Sequence, residues 1–292
     1  MDWRAVLTLI RPANIVTSMA DVMAGFAIAG LFSPPVYQSD MLLLILSTIG
    51  LYGGGIVFND VFDFEQDKIN RPERILPSQR LSIQQASIIG LTLFGVALLA
   101  AFASSVTSGL IALLIMCLAL VYDKWSKHNS VLGPVNMGMC RGANLMLGVS
   151  ILPSALGEVY WISLIPILFV AAITLTAQKE SSGHNKTSIG IAMLLDLSVV
   201  AAFFLMQDRL DLSMQSAGIF LLLWYGANLV YKYRAISNNT PANIKMAVKA
   251  AVLSIIPLDA SFTAGFGSIP MAVVVLALLP LSIFLAKKFA VT

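Results

Sequence analysis

The sequence predicts an all-α fold, a polytopic membrane helical bundle of nine to ten transmembrane helices. Three observations predict it. Of 292 residues, 58% are hydrophobic and only 11% charged, where a soluble domain carries about 25% charged residues. The apolar residues gather in runs close to the ~20 residues that a membrane-crossing helix requires. The cations fall in every second connection, as expected when Lys and Arg are retained on the cytoplasmic side. A water-soluble globule would need charged outer faces on its helices, and most segments have none. The runs also lack the alternation of a membrane β-barrel.

The expected spans, in order, are 13–32, 41–60, 84–105, 108–122, 130–152, 159–179, 187–206, 213–232, 242–258 and 267–286. The fourth and ninth are short, which leaves the count at nine to ten. The opening "MDWRAVLTLIRPANIV" lacks the charged start, short apolar block and small-residue cleavage site of a signal peptide. With ten spans and the N-terminus inside, every one of the 18 Lys and Arg except Arg141 and Arg209 lies on one side. Both termini are then expected in the cytoplasm, at a cell inner membrane or its equivalent. The longest polar stretch runs from about Phe62 to Gln84, and no separate soluble domain is apparent, so residues 1–292 read as one integral-membrane domain. A net charge of +3, scattered over short clusters, points to no nucleic-acid partner. Cys117 and Cys140 both fall in apolar segments without metal-ligand spacing, and read as two buried thiols.

The stretch "NDVFDFEQDKINRPER", Asn59 to Arg74, follows directly on an uncharged apolar run. Asn59, Asp63 and Asp67 are spaced i, i+4, i+8, and Asp60 joins them at i+3 and i+7, so a helix would bring all four to one side. Carboxylates stacked at the edge of hydrocarbon repel strongly and call for a cation. Oxygen ligands without His or Cys favour a hard ion such as magnesium, which commonly bridges a carboxylate to substrate phosphates. Arg71, Arg74 and Arg80 follow in position to take the remaining phosphate oxygens. The stretch therefore reads as a seat for a magnesium diphosphate whose attached group lies in the bilayer. Its plain alternative is a solvated polar cap on a helix leaving the membrane. The one-sided register, the adjoining Asn and the following arginines weigh against that.

"NDVFDFEQD" resembles the NDxxDxxxD motif of the UbiA-type membrane prenyltransferases, and "NRPERILPSQRLS" is similar to the loop that follows it there. "VYDKWSKH" is similar to the family's Tyr and Lys loop after span four, and the likeness covers most of the chain. The resemblance implies a UbiA-like bundle around a central cavity, with Mg2+ held by aspartates and an isoprenoid moved from its diphosphate to an acceptor. Carried over by position, Asp60, Asp63, Asp67 and Lys127 would be catalytic. Asn59, Arg71, Arg74, Tyr122, Lys127, Arg141 and Lys179 would bind the diphosphate. Asp60, Asp63, Asp67 and Glu180 would hold the metal. The expected partners are an isoprenoid diphosphate, an acceptor metabolite of secondary or quinone-type metabolism, and the lipid bilayer.

The chain departs from the family's second acidic motif, DxxxD. Here the region reads "TLTAQKESSGHNKTS", which places Thr176 and Glu180 where the two aspartates stand. Gln178, His184 or Asn185 would have to help a single Glu, and Lys179 and Lys186 to replace part of a second metal's charge. Arg141 lies about halfway along span five, where a charge costs at least ~2.5 kcal/mol on insertion scales. It must face a partner, either Asp196 or the diphosphate, with Asn144 one turn away. "RGANLMLG" together with the altered second motif is most similar to the UbiA-like branch called EboC, associated with secondary metabolites. Gly53, Gly54 and Gly55 read as close helix packing, and Tyr52, Phe58, Phe62, Phe64 and Trp125 as packing or as a lining for the isoprenoid. The alternative function is a non-catalytic UbiA-like protein that binds or transports a small metabolite.

Overall fold

The computed structural model describes residues 2–30, 38–178 and 183–289. The helices, in chain order, are α1 (Trp3–Ile10), α2 (Pro12–Ile28), α3 (Gln38–Phe62), α4 (Phe64–Asn70), α5 (Ile83–Ser104), α6 (Val106–Lys124), α7 (Leu132–Val149) and α8 (Leu156–Val159). They continue as α9 (Leu164–Ala177), α10 (Lys186–Leu210), α11 (Met214–Ser237), α12 (Pro241–Leu253), α13 (Ile255–Phe266), α14 (Ile269–Leu276) and α15 (Leu278–Lys288). Among the described residues no strand is present. Among these residues seven helical stretches are long and apolar enough to cross a membrane, and Pro12–Ile28 is a shorter apolar helix.

Two breaks have a sequence cause. Pro257 cannot donate to the carbonyl of Leu253, and the ninth apolar stretch divides at Ser254 into α12 and α13. Pro280 stands in the same relation to Leu276, where α14 gives way to α15. The ninth stretch nevertheless runs on to Phe266, well past the expected 258. "DASFTAGF" was expected to lie in a connection, and is helical and buried throughout except at Phe266. Asp259 made it look polar; its carboxyl is buried inside the bundle. The fourth expected span is not short either, since α6 carries Tyr122, Asp123 and Lys124 on its last turn.

Two apolar cores flank the centre. One gathers Phe94, Leu51, Phe26 and Leu147 from α2, α3, α5 and α7. The other gathers Phe169, Phe203, Trp224 and Phe262 from α9, α10, α11 and α13, with Phe169 edge-on to Trp224 at 5.0 Å. Helix α2 joins the halves by packing on both α7 and α13. Its contact with α7 depends on glycine: a Cβ on Gly25 would stand 2.7 Å from Gly148 Cα and from Val149 N. In the same way a Cβ on Gly54 would stand 2.7 Å from the Phe94 ring, so this glycine serves helix packing, as the sequence suggests.

The amphipathic helix α1 has no counterpart in the expected spans. It lays Ala5 and Leu9 against Ile75, Leu76 and Leu81, and so pins the loop that carries Arg71 and Arg74. Asp2 caps α1 by accepting from Ala5 N, and Arg80 bonds its other oxygen at 2.7 Å. The free cysteines also differ from expectation: Cys117 faces outward and Cys140 is half-buried.

Candidate functional site

A cavity of about 1060 Å³ opens between α2, α3, α4, α6, α7, α9 and the α12–α13 break. Its wall changes character along its length. Val170, Ile173, Val252, Ile255 and Ile115 make an apolar part, while the polar part is built where α3 turns into α4. Helix α3 ends at Phe62 and α4 begins at Phe64, yet the hydrogen-bond ladder crosses the break. Asp63 N donates to Asn59 O at 3.0 Å and Asp67 N to Asp63 O at 2.8 Å. The i, i+4, i+8 register therefore holds, and Asn59, Asp63 and Asp67 all line the cavity.

Asp60 takes a different direction from the other three. It is buried outside the cavity lining, paired with Arg11 at the α1–α2 junction and 3.6 Å from Arg74 Nη1. The same guanidinium lies 2.7 Å from Asp67 Oδ2. Lys127 Nζ reaches Asp63 Oδ1 at 2.5 Å. Asn59 Nδ2 donates to Asp123 Oδ1 at 2.8 Å. Among the described residues no three carboxylates come together as a metal cage; cations stand between Asp60, Asp63 and Asp67 instead. Arg71, Arg74 and Tyr122 line the cavity, whereas Arg80 is engaged with Asp2.

The donor set still fits a magnesium ion. It consists of oxygens alone, and Mg2+ commonly takes one or two carboxylates and completes its shell with water and substrate phosphate. Asp63 and Asp67 supply carboxylates at the wall, and Asp123 Oδ2 has no hydrogen-bonding partner. Thr176 stands apart, fully buried and bonded to Ala172 O of its own helix. Asn185 is committed to closing α9, through bonds to Thr176 O at 3.0 Å and Gln178 O at 2.6 Å. The Gln178 side chain accepts from Ser188. Lys179 and Glu180 lie outside the described residues.

Arg141 does not pair with Asp196. Its Nε meets Asp21 Oδ2 at 2.8 Å, while Nη2 donates to Thr17 O at 2.8 Å and Nη1 to Tyr52 Oη at 3.2 Å. Asn144 bonds the same aspartate at 2.8 Å. Asp196 is instead paired with Lys232 at 2.5 Å, both fully buried in the second core. Arg141 remains on the cavity wall beside Tyr52 and Asn14. Sequence reasoning missed Arg11, Asp21 and Asp123. Asp21, an acid in mid-span, carried a signal as clear as that of Arg141. Asp123 lies within "VYDKWSKH", and Arg11 carries no signal beyond its place among the sided Lys and Arg.

A family model described as the UbiA prenyltransferase family matches residues 18–183. Digeranylgeranylglyceryl phosphate synthase of Sulfurisphaera tokodaii is 29% identical over 237 residues, spanning 79% of this chain and 82% of that protein. Among solved structures, one concerned with digeranylgeranylglyceryl phosphate synthase in membranes superposes with a TM-score of 0.69 at 19% identity, over 92% of this chain and 99% of that one. A UbiA homologue of Archaeoglobus fulgidus bound to DMAPP and Mg2+ gives 0.62 at 17% identity, over 88% and 99%. At such identities the structural likeness speaks for the fold.

Proposed function

The chain belongs to the UbiA prenyltransferase family and is a membrane transferase; from that premise we propose that it moves an isoprenoid from its diphosphate, held with magnesium at the α3–α4 turn, to an acceptor inside the bundle. The observation that carries this reading is the convergence of Asn59, Asp63, Asp67, Arg71, Arg74 and Tyr122 on one cavity that also has an apolar part, lined by Ile115, Val170, Ile173, Val252 and Ile255. A diphosphate would take the polar end, and a hydrocarbon chain the side lined by Ile173 and Ile255. Magnesium, when bound, would offset the charge of the diphosphate as the allylic C–O bond breaks. Asp63 and Asp67 would hold that ion, with Asn59 beside them. Arg71, Arg74 and Lys127 would steady the departing phosphate oxygens, and the enclosing helices would exclude water until the acceptor attacks the allylic carbon. Lys179 and Glu180 belong to this proposal by position alone.

The further helices α2, α7 and α11, which coincide with expected spans, support a ten-span count, and the sided distribution of Lys and Arg supports cytoplasmic termini. The polar end of the cavity would then face the cytoplasm, and residues 1–292 would work as one domain. Relatives described as digeranylgeranylglyceryl phosphate synthases make a prenylated glyceryl phosphate the first acceptor to try.

The test is transfer from labelled geranylgeranyl diphosphate by the full chain in bilayer discs, with and without Mg2+. Asp63→Ala and Asp67→Ala are each expected to lose about a hundredfold or more in rate. Undiminished transfer in both variants and in metal-free buffer would remove the metal site from the mechanism.

A further inference from the structure

Asp123 is the one carboxylate at the polar end of the cavity that no cation answers among the described residues. Asp60 has Arg11 and Arg74, Asp67 has Arg74, and Asp63 has Lys127. Asp123 has only the neutral amide of Asn59, on Oδ1. Its side chain is 4% exposed, it belongs to the cavity wall, and its Oδ2 is buried with no partner. A buried carboxylate left in this state is costly unless a positive charge or a proton completes it. Helix α6 delivers it on its last turn, so its backbone is rigid and its side chain is pinned by Asn59 from across the cavity.

We propose that Asp123 is a divalent-cation ligand, supplying from α6 a carboxylate that acts together with Asn59 on α3 and Asp63 at the α3–α4 break. The inference rests on the magnesium-diphosphate reading of this cavity and adds to it a ligand outside the acidic stretch. The ion takes Oδ2, the oxygen the protein leaves free, while Oδ1 keeps its bond to the Asn59 amide. Asp123 therefore has two tasks, one toward the metal and one toward the orientation of Asn59. The second needs only an acceptor oxygen, which an amide also provides. The first needs an anionic one.

That difference supplies the test. Mn2+ is titrated into the purified full chain in the presence of a non-reactive thiolo analogue of geranylgeranyl diphosphate, and free Mn2+ is read by electron paramagnetic resonance. Asp123→Asn should bind Mn2+ at least about tenfold more weakly, with its melting temperature close to that of the natural chain. Asp123→Glu should recover part of the metal affinity. Equal Mn2+ affinity in the natural chain and Asp123→Asn would overturn the assignment and leave the magnesium reading intact. Failure of the natural chain itself to bind Mn2+ with the analogue would overturn both. If Asp123→Asn melts much lower than the natural chain, Asp123→Glu decides: metal affinity no better than that of Asp123→Asn rejects the ligand role.

Discussion

Arg74 is shared by two acids seven positions apart, and its sharing decides what each of them can do. Asp67 keeps its place on the cavity wall, while Asp60 is drawn beneath the wall toward Arg11. The register of Asn59, Asp63 and Asp67 was legible because a helix period is a property of the sequence itself. The turn of Asp60 was not, since it depends on a residue 49 positions away that only the fold brings near. Lys127 illustrates the same limit: as one of the cations on the Lys- and Arg-rich side it also fits a topology anchor, and the 2.5 Å contact with Asp63 ties it to the acidic stretch. Lys127→Met should lower kcat/KM by about a hundredfold in the transfer assay while the protein still inserts and folds. A change below about threefold would return the residue to the role of anchor.

Between elements, close approach and buried charge do different jobs. The α2–α7 crossing places Thr17 and Asp21 against Arg141, and it is permitted by Gly25 facing Gly148 at a distance that leaves no room for a side chain. Gly148→Leu should therefore be destabilising by at least about 1–3 kcal/mol through overpacking, read as a drop in thermal unfolding temperature in detergent; an unchanged midpoint would mean the helices can part without cost. In the second half, the Asp196–Lys232 pair binds α10 to α11 with both groups enclosed. Lys232→Met alone should cost about 3–5 kcal/mol, and the double replacement with Asp196→Leu should recover most of it. A double variant no better than the single one would contradict a simple charge-pair account. The positions of ten apolar stretches were legible in the sequence, and each is matched by helix in the structure. Helix α13 was obscured because Asp259 mimicked a connecting segment. Helix α1 carries no span signal because its eight residues fall far short of the ~20 that a membrane crossing needs.

At the scale of the whole molecule, the ten-span reading, which puts most Lys and Arg on one side, makes a direct prediction about orientation. In a chain with Cys117 and Cys140 replaced by Ser, a single Cys at Asp211 should react with a membrane-impermeant maleimide in intact cells, and one at Asn129 only after permeabilisation. The reverse pattern would invert the bundle and place the acidic stretch outside. Composition and hydropathy were enough to announce a helical membrane protein, because the bilayer admits few alternatives. The cavity was not legible at that level, since its walls come from α2, α3, α4, α6, α7, α9 and the α12–α13 break and no local pattern records their convergence. The paired charges at its polar end also bear on how a substrate arrives. Arg11, Arg74 and Lys127 each already hold an anion, so a bare pyrophosphate gains little by displacing one carboxylate for another. A ligand that comes already complexed to a divalent ion brings the positive charge that the displaced aspartates then accept. Capture is thus an exchange of partners, and ion and pyrophosphate are expected to enter together as a single body.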